Sequence, residues 1–295
     1  MTSWMTLVAA VAGATVQTAP PPAPPSDPII VEGEKVQSEQ ALSELARDIA
    51  GNPRPRRPLA RFERPLCLMV AAADTALGQQ VAERIIENAR DARVPVRGKG
   101  CKPNALLALS DNAQAQLRDV KASGRRLFAG LSAREIDAAL GARDPVYVFQ
   151  ASRQASNTGE PIVNSPEAAG PNGLPGPQNK IWSAGRLKRD LREDMLAALV
   201  VVDNSAVAGL TPIQIADYAS LRLLAPTGEV DLAEAGAPRT IMTLFVSPQN
   251  APQTLSRFDR AYLKALYRLP AGSFASEVLR AAVLETARSA EQGDD

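Results

Sequence analysis

Leu66-Cys67-Leu68-Met69-Val70-Ala71-Ala72-Ala73 is an unbroken apolar run of strand length, and together with the helical pattern after it this run decides the fold class. A short run with no polar alternation reads as a strand buried on both faces. Asp74 or Thr75 can cap the helix that comes next. In that helix Leu77, Val81 and Ile85 recur every fourth residue beside Ala82, Ile86 and Ala89, while Glu83, Arg84, Glu87 and Arg90 form a water-facing side. The turn Gly98-Lys99-Gly100-Cys101-Lys102-Pro103 then leads into a second apolar run at 104–109. Strand, helix, strand in this order favours parallel pairing, so an α/β domain is expected.

The pattern continues downstream. Residues 112–120 have helical spacing, and 132–140 have it with Ser132 and Glu135 placed as a capping box. A third strand is expected at 146–150 and a fourth at 196–203, where Leu199-Val200-Val201-Val202 suits a buried sheet position. Between them, 152–179 turns to Gly, Pro, Asn and Ser. A loop of that length is either a flexible flap or a functional rim, and its low aromatic content favours the flap.

Upstream of Leu66 the composition changes. Residues 1–19 contain a short apolar stretch and the small residues Ala12 and Ala14 in an A-x-A arrangement, which reads as an export signal. The stretch is too short to cross about 30 Å of hydrocarbon as a helix, and no later segment reads as an integral membrane span. Residues 20–65 read as a Pro/Arg-rich linker: a proline spacer at 20–28, a possible short helix at 38–49, and a basic arm. In the arm Arg54, Arg56, Arg57, Arg61 and Arg64 interleave with prolines, which suggests either peripheral contact with an anionic envelope surface or a solvated linker. The expected organisation is therefore signal 1–19, linker 20–65, globular domain 66–270, and a C-terminal helix and tail at 271–295.

With 33 basic and 32 acidic residues the net charge is +1, which provides no long-range field to gather nucleic acid. Two cysteines, Cys67 and Cys101, would pair as a disulfide in an exported chain. In a reducing compartment they would instead be two separate buried thiols.

Chemistry is constrained by what is missing. The chain has no histidine, the usual general base near neutral pH and the commonest zinc ligand. It has no G-x-S-x-G elbow, no S-x-x-K and no Walker loop, and Gly98-x-Gly100-x-x-Pro103 fails the dinucleotide pattern at its third glycine. No cofactor and no bound metal are expected. One carboxylate stands out. Thr211 and Pro212 open a helix over 212–225 that is apolar on most sides, and Asp217 falls between Ile213 and Leu221 on one face. A carboxylate there needs a partner or a solvent-filled cleft.

The last quarter carries Thr240-Ile241-Met242-Thr243-Leu244-Phe245, then Leu255-Ser256-Arg257-Phe258-Asp259, and then Leu266-Tyr267. Ser256 can cap a helix whose Phe258, Tyr262, Leu263, Leu266 and Tyr267 share one face. This arrangement resembles the end of matrixin-like zinc peptidases, in which a Ser-Ile-Met turn precedes a Leu-Ser-x-x-Asp helix ending in Leu-Tyr. On that resemblance Met242 matches the methionine of the turn, Asp259 and Leu266-Tyr267 match the closing helix, and 212–225 matches the active-site helix. The implied fold is a zincin-like mixed sheet with a backing helix, a buried former active-site helix and a closing C-terminal helix.

The departure lies at the chemistry. With Asp217 at the position of the general-base glutamate, the two metal-binding histidines fall on Ala216 and Ser220. The resemblance therefore implies a non-catalytic, exported zincin-like domain with a binding or structural role toward an unknown envelope component. Asp217, Tyr218, Ser220 and Met242 are its cleft candidates. The alternative is a hydrolase of another class, with carboxylates such as Asp217 and Asp203 as an acid/base pair on envelope material.

Overall fold

The computed structural model describes residues 38–98, 100–122, 133–141, 143–162, 164–169, 175–177, 191–230 and 239–291. The expected signal at 1–19, the spacer at 20–28 and Ser132 of the expected capping pair lie outside these residues, as do the Glu135 side chain and much of 152–179.

Strand β1 (Leu68–Ala71) follows a short first helix, α1 (Glu39–Ile49). Helix α2 (Thr75–Asp91) comes next, with the Asp74 side chain accepting from the Ala76 and Leu77 amides, which are otherwise orphaned at a helix start. It delivers the chain to β2 (Ala105–Ser110), which pairs parallel with β1, Leu68 opposite Ala105. Helices α3 (Ala113–Ala122) and α4 (Ala133–Gly141) lead to β3 (Val146–Ser156). After a short ribbon of β4 (Asn164–Ala169) and β5 (Pro175–Pro177), β6 (Leu191–Asp203) enters the sheet. It runs parallel to β2 and antiparallel to β3, giving a four-stranded mixed sheet in the order β1-β2-β6-β3. The fold is α/β, as the strand-helix-strand pattern implied.

Side-chain alternation splits β6 between two cores. Ala198, Val200 and Val202 join the main core with Val81 and Ile85 of α2, whereas Leu199 and Val201 meet Leu117, Ile136 and Leu140 from α3 and α4. Tyr147 and Phe149 of β3 face that second core too. Strand β1 behaves differently from expectation. Met69 is 45% exposed, because β1 is a sheet edge and α3 and α4 cover only the strands beyond it.

Two segments differ from their sequence reading. Strand β3 runs on into the stretch expected to be loop, and β6 begins earlier than 196, so the two form a long antiparallel arm. Its residues are polar, and pairs such as the Ser152 hydroxyl donating to Glu193 (2.7 Å) hide the usual apolar strand signal. The second difference is in the stretch read as a linker. Leu42, Leu45, Ala46 and Ile49 of α1, with Leu59 and Phe62 after it, are buried in the main core. The turn at Gly51 (φ 71°) lies so close to Gly228 that a Cβ on Gly228 would stand 2.5 Å from the Gly51 Cα, and the Gly228 amide donates to the Ile49 carbonyl at 2.8 Å.

Within the basic arm, Arg54, Arg56, Arg57 and Arg64 are exposed, but Arg61 is not free. Its guanidinium donates to the carbonyls of Leu266 (2.7 Å) and Leu269 (2.6 Å) and pairs with Glu63. It thereby satisfies carbonyls left over at the end of α6 (Arg257–Arg268). The last helix, α7 (Ala275–Glu291), buries Val278, Leu279, Ala282 and Val283 against the core.

Cys67 and Cys101 form a disulfide with Cα atoms 6.0 Å apart, closing a loop across 34 positions. On the chain-entropy estimate such a loop contributes about 3 to 4 kcal/mol. Asn104 supports it, accepting the Cys67 amide at 2.7 Å.

Candidate functional site

Helix α5 (Pro212–Leu224) follows β6 through a short 3-10 turn at Asn204–Val207. A capping box opens it: the Thr211 hydroxyl accepts the Gln214 amide, and the Gln214 side chain accepts the Thr211 amide. From Gln214 to Leu224 every residue is buried, so the helix lies inside the domain. The helix is apolar on most sides, and its buried Gln214, Asp217, Ser220 and Arg222 therefore need partners inside the domain.

Asp217 sits in this helix with no exposed surface. Its Oδ1 accepts from the Arg84 Nε (2.8 Å) and the Asn88 amide (2.7 Å). Its Oδ2 accepts from the Arg84 guanidinium (3.2 Å), the Thr254 hydroxyl (2.6 Å) and the Leu255 amide (2.8 Å). A carboxylate has about four lone-pair sites, so these donors leave none for water or substrate. Burial pushes the Asp217 carboxyl upward, but Arg84, Thr254, Asn88 and Leu255 outweigh it and hold the group below the ordinary Asp value. Arg84 is raised in turn, first by its hydrogen bond to Asp217. The group is a staple, ionised at neutral pH, joining α2, α5 and the loop ahead of α6.

The other expected cleft residues lie nearby but do not converge on open space. The Ser220 hydroxyl accepts from Asn88 (2.9 Å) and donates to the Ala216 carbonyl (2.7 Å). The Tyr218 hydroxyl accepts from Arg222 at 3.0 Å, and its ring meets Phe245 edge-on at 4.7 Å. Burial raises its pKa. Met242, 3% exposed, occupies a 3-10 turn at Ile241–Thr243, where its amide donates to the Thr240 hydroxyl.

That turn is held by a second buried carboxylate. Asp259, in the first turn of α6, accepts from the Thr240 hydroxyl (2.6 Å), the Ile241 amide (2.8 Å) and the Ser256 amide (2.9 Å). No ion pair reaches it among the described residues. Burial raises its pKa against the opposing pull of Ile241, Thr240 and Ser256.

Asp203 is elsewhere, at the end of β6. There it caps the 3-10 turn by accepting from the Ser205 hydroxyl (2.7 Å) and amide (3.0 Å), and those bonds lower its pKa. Comparison with protein-family models, with curated proteins and with solved structures gives no match. The site is therefore read from its own geometry.

Sequence reasoning missed Arg84, Asn88 and Thr254. Arg84 lies on the side of α2 read as water-facing, and its side chain does retain 27% exposure toward Glu87. Asn88 carried a usable signal, since it falls between Ile85 and Ala89 on the apolar face, where a polar group needs a partner. Among the described residues, no group of three or more Cys, Asp or Glu is arranged to hold a metal ion.

Proposed function

We propose that this is an exported envelope protein whose domain keeps a zincin-like outline without zinc chemistry and serves a binding or structural role. The observation that carries the reading is the saturated Asp217 carboxylate: a group held ionised, dry and fully hydrogen-bonded has no proton to give and no lone pair to take one. The order of parts supports the resemblance, with a buried helix after the last sheet strand, Met242 in a tight turn, and a closing helix anchored by Asp259. The Cys67–Cys101 disulfide supports export, because such bonds persist in oxidising compartments. Among the described residues no helix is long and apolar enough to cross a membrane. The periplasm or the extracellular space is the proposed location, with Arg54, Arg56 and Arg57 as a peripheral contact to an envelope component.

The hydrolase alternative gains no support from Asp217 and Asp203, since each spends its oxygens on local structure. The test is metal analysis and peptide-cleavage assay of the purified full chain. Neither bound zinc nor cleavage is expected, and Asp217→Ala should lower stability. Stoichiometric zinc, with peptide cleavage abolished by Asp217→Ala in a protein that still folds, would overturn the proposal.

A further inference from the structure

Helices α1 and α7 do not close against each other along their whole length. Between them lies a groove of about 270 Å³, with residues 53–55 as its third wall. That wall is fixed, because the Ala275 amide donates to the Arg57 carbonyl (2.8 Å) and the Ser276 amide to the Pro55 carbonyl (3.1 Å). The groove floor is apolar, formed by Ala46, Leu279 and Val283, and Pro53 and Pro55 make the third wall apolar as well. Its rim is charged: Arg47 from α1 and Arg280 from α7 stand on it with Glu39. Both arginines are exposed, and among the described residues neither makes an ion pair or a side-chain hydrogen bond. Of the charged side chains lining the groove, two are arginines and one is a carboxylate.

Size and charge together select an occupant. Pockets for drug-sized ligands run from about 300 to 1,000 Å³, so this groove is matched to something slim. A stable protein partner needs on the order of 1,000 Å² of buried surface, which a groove this small does not approach. Guanidinium groups without a partner among the described residues, beside an apolar floor, favour an anion with an apolar tail. We propose that the groove between α1 and α7 binds a single anionic acyl amphiphile, its chain on the Ala46–Leu279–Val283 floor and its carboxylate or phosphate head at Arg47 and Arg280. This site shares no residue with the α5 staple, so it stands or falls separately from the non-catalytic reading.

The test is a calorimetric titration of the full chain with decanoate below its micelle concentration, beside neutral decanol and phosphatidylglycerol vesicles. The proposal expects saturable decanoate binding, weakened about tenfold or more both by Ser43→Trp, which puts a large side chain into the groove that Ser43 lines, and by the double reversal Arg47→Glu with Arg280→Glu. Absence of saturable decanoate binding overturns it, as does binding that both variants leave unchanged. Equal affinity for decanol overturns the role of the arginines. Retention on vesicles without decanoate binding assigns the arginines to a membrane surface and overturns the single-molecule site.

Discussion

Asp217 and Asp259 are both buried without exposed surface, both lie in helices, and both tie a loop to the core, yet they are compensated in different ways. Asp217 has a guanidinium in contact, while Asp259 has only amides, a hydroxyl and the start of a helix. The difference sets their titration in opposite directions. With its cation, Asp217 stays below the ordinary Asp value; without one, Asp259 is pushed above it. Burial of a carboxylate by itself thus says nothing about whether the group is poised for proton transfer. The partner decides.

Breaking the first arrangement has the largest expected effect. Asp217→Ala removes the shared buried acceptor of Arg84, Asn88, Thr254 and Leu255 and should cost about 3 to 5 kcal/mol in urea unfolding, the range for removing one partner of a buried ion pair. Replacing Cys67 and Cys101 together by serine should cost about 3 to 4 kcal/mol on loop entropy. Because no titrating group is involved, that loss should hardly vary with pH, which makes the variant a control for both carboxylates. Asp259→Asn keeps the shape and removes only the charge, so a smaller loss of about 1 to 3 kcal/mol is expected from the mispaired donors. Thr211→Ala, which opens the α5 cap without touching either carboxylate, should cost about 1 kcal/mol.

The pH dependence sharpens the contrast. A carboxyl whose folded pKa is lowered contributes stability above its unfolded value and loses it as pH falls through the folded value. Wild type should therefore lose its advantage over Asp217→Asn on acidification below about pH 4. A raised carboxyl does the reverse: its contribution is present at acid pH and lost as pH rises through the folded value. The advantage of wild type over Asp259→Asn should shrink as pH rises above about 4. Unfolding curves for the three proteins between about pH 3 and pH 8 check both slopes.

The sheet's parallel half was legible because its apolar runs and the four-residue spacing of α2 are local signals. So were the caps at Thr211 and Ser256, both of which close capping boxes. The need of Asp217 for a partner was legible too, but its identity was not. Arg84 lies 133 positions away in the chain, and only the packing of α2 against α5 brings the two together. The packed role of residues 38–65 was hidden by composition. Prolines and arginines dominate the arm, while the residues that anchor it, Leu59, Phe62 and the shielded Arg61, are scattered among them.

Asp217 as an anion at neutral pH, locked in a closed staple, is the central claim, and the titration of this one group tests it most directly. Following the Asp217 side-chain carboxyl carbon by NMR through an acid titration of the folded protein should place its midpoint below the ordinary value of about 3.9. A midpoint near neutrality would mark a group poised to exchange protons and would contradict the structural reading of α5.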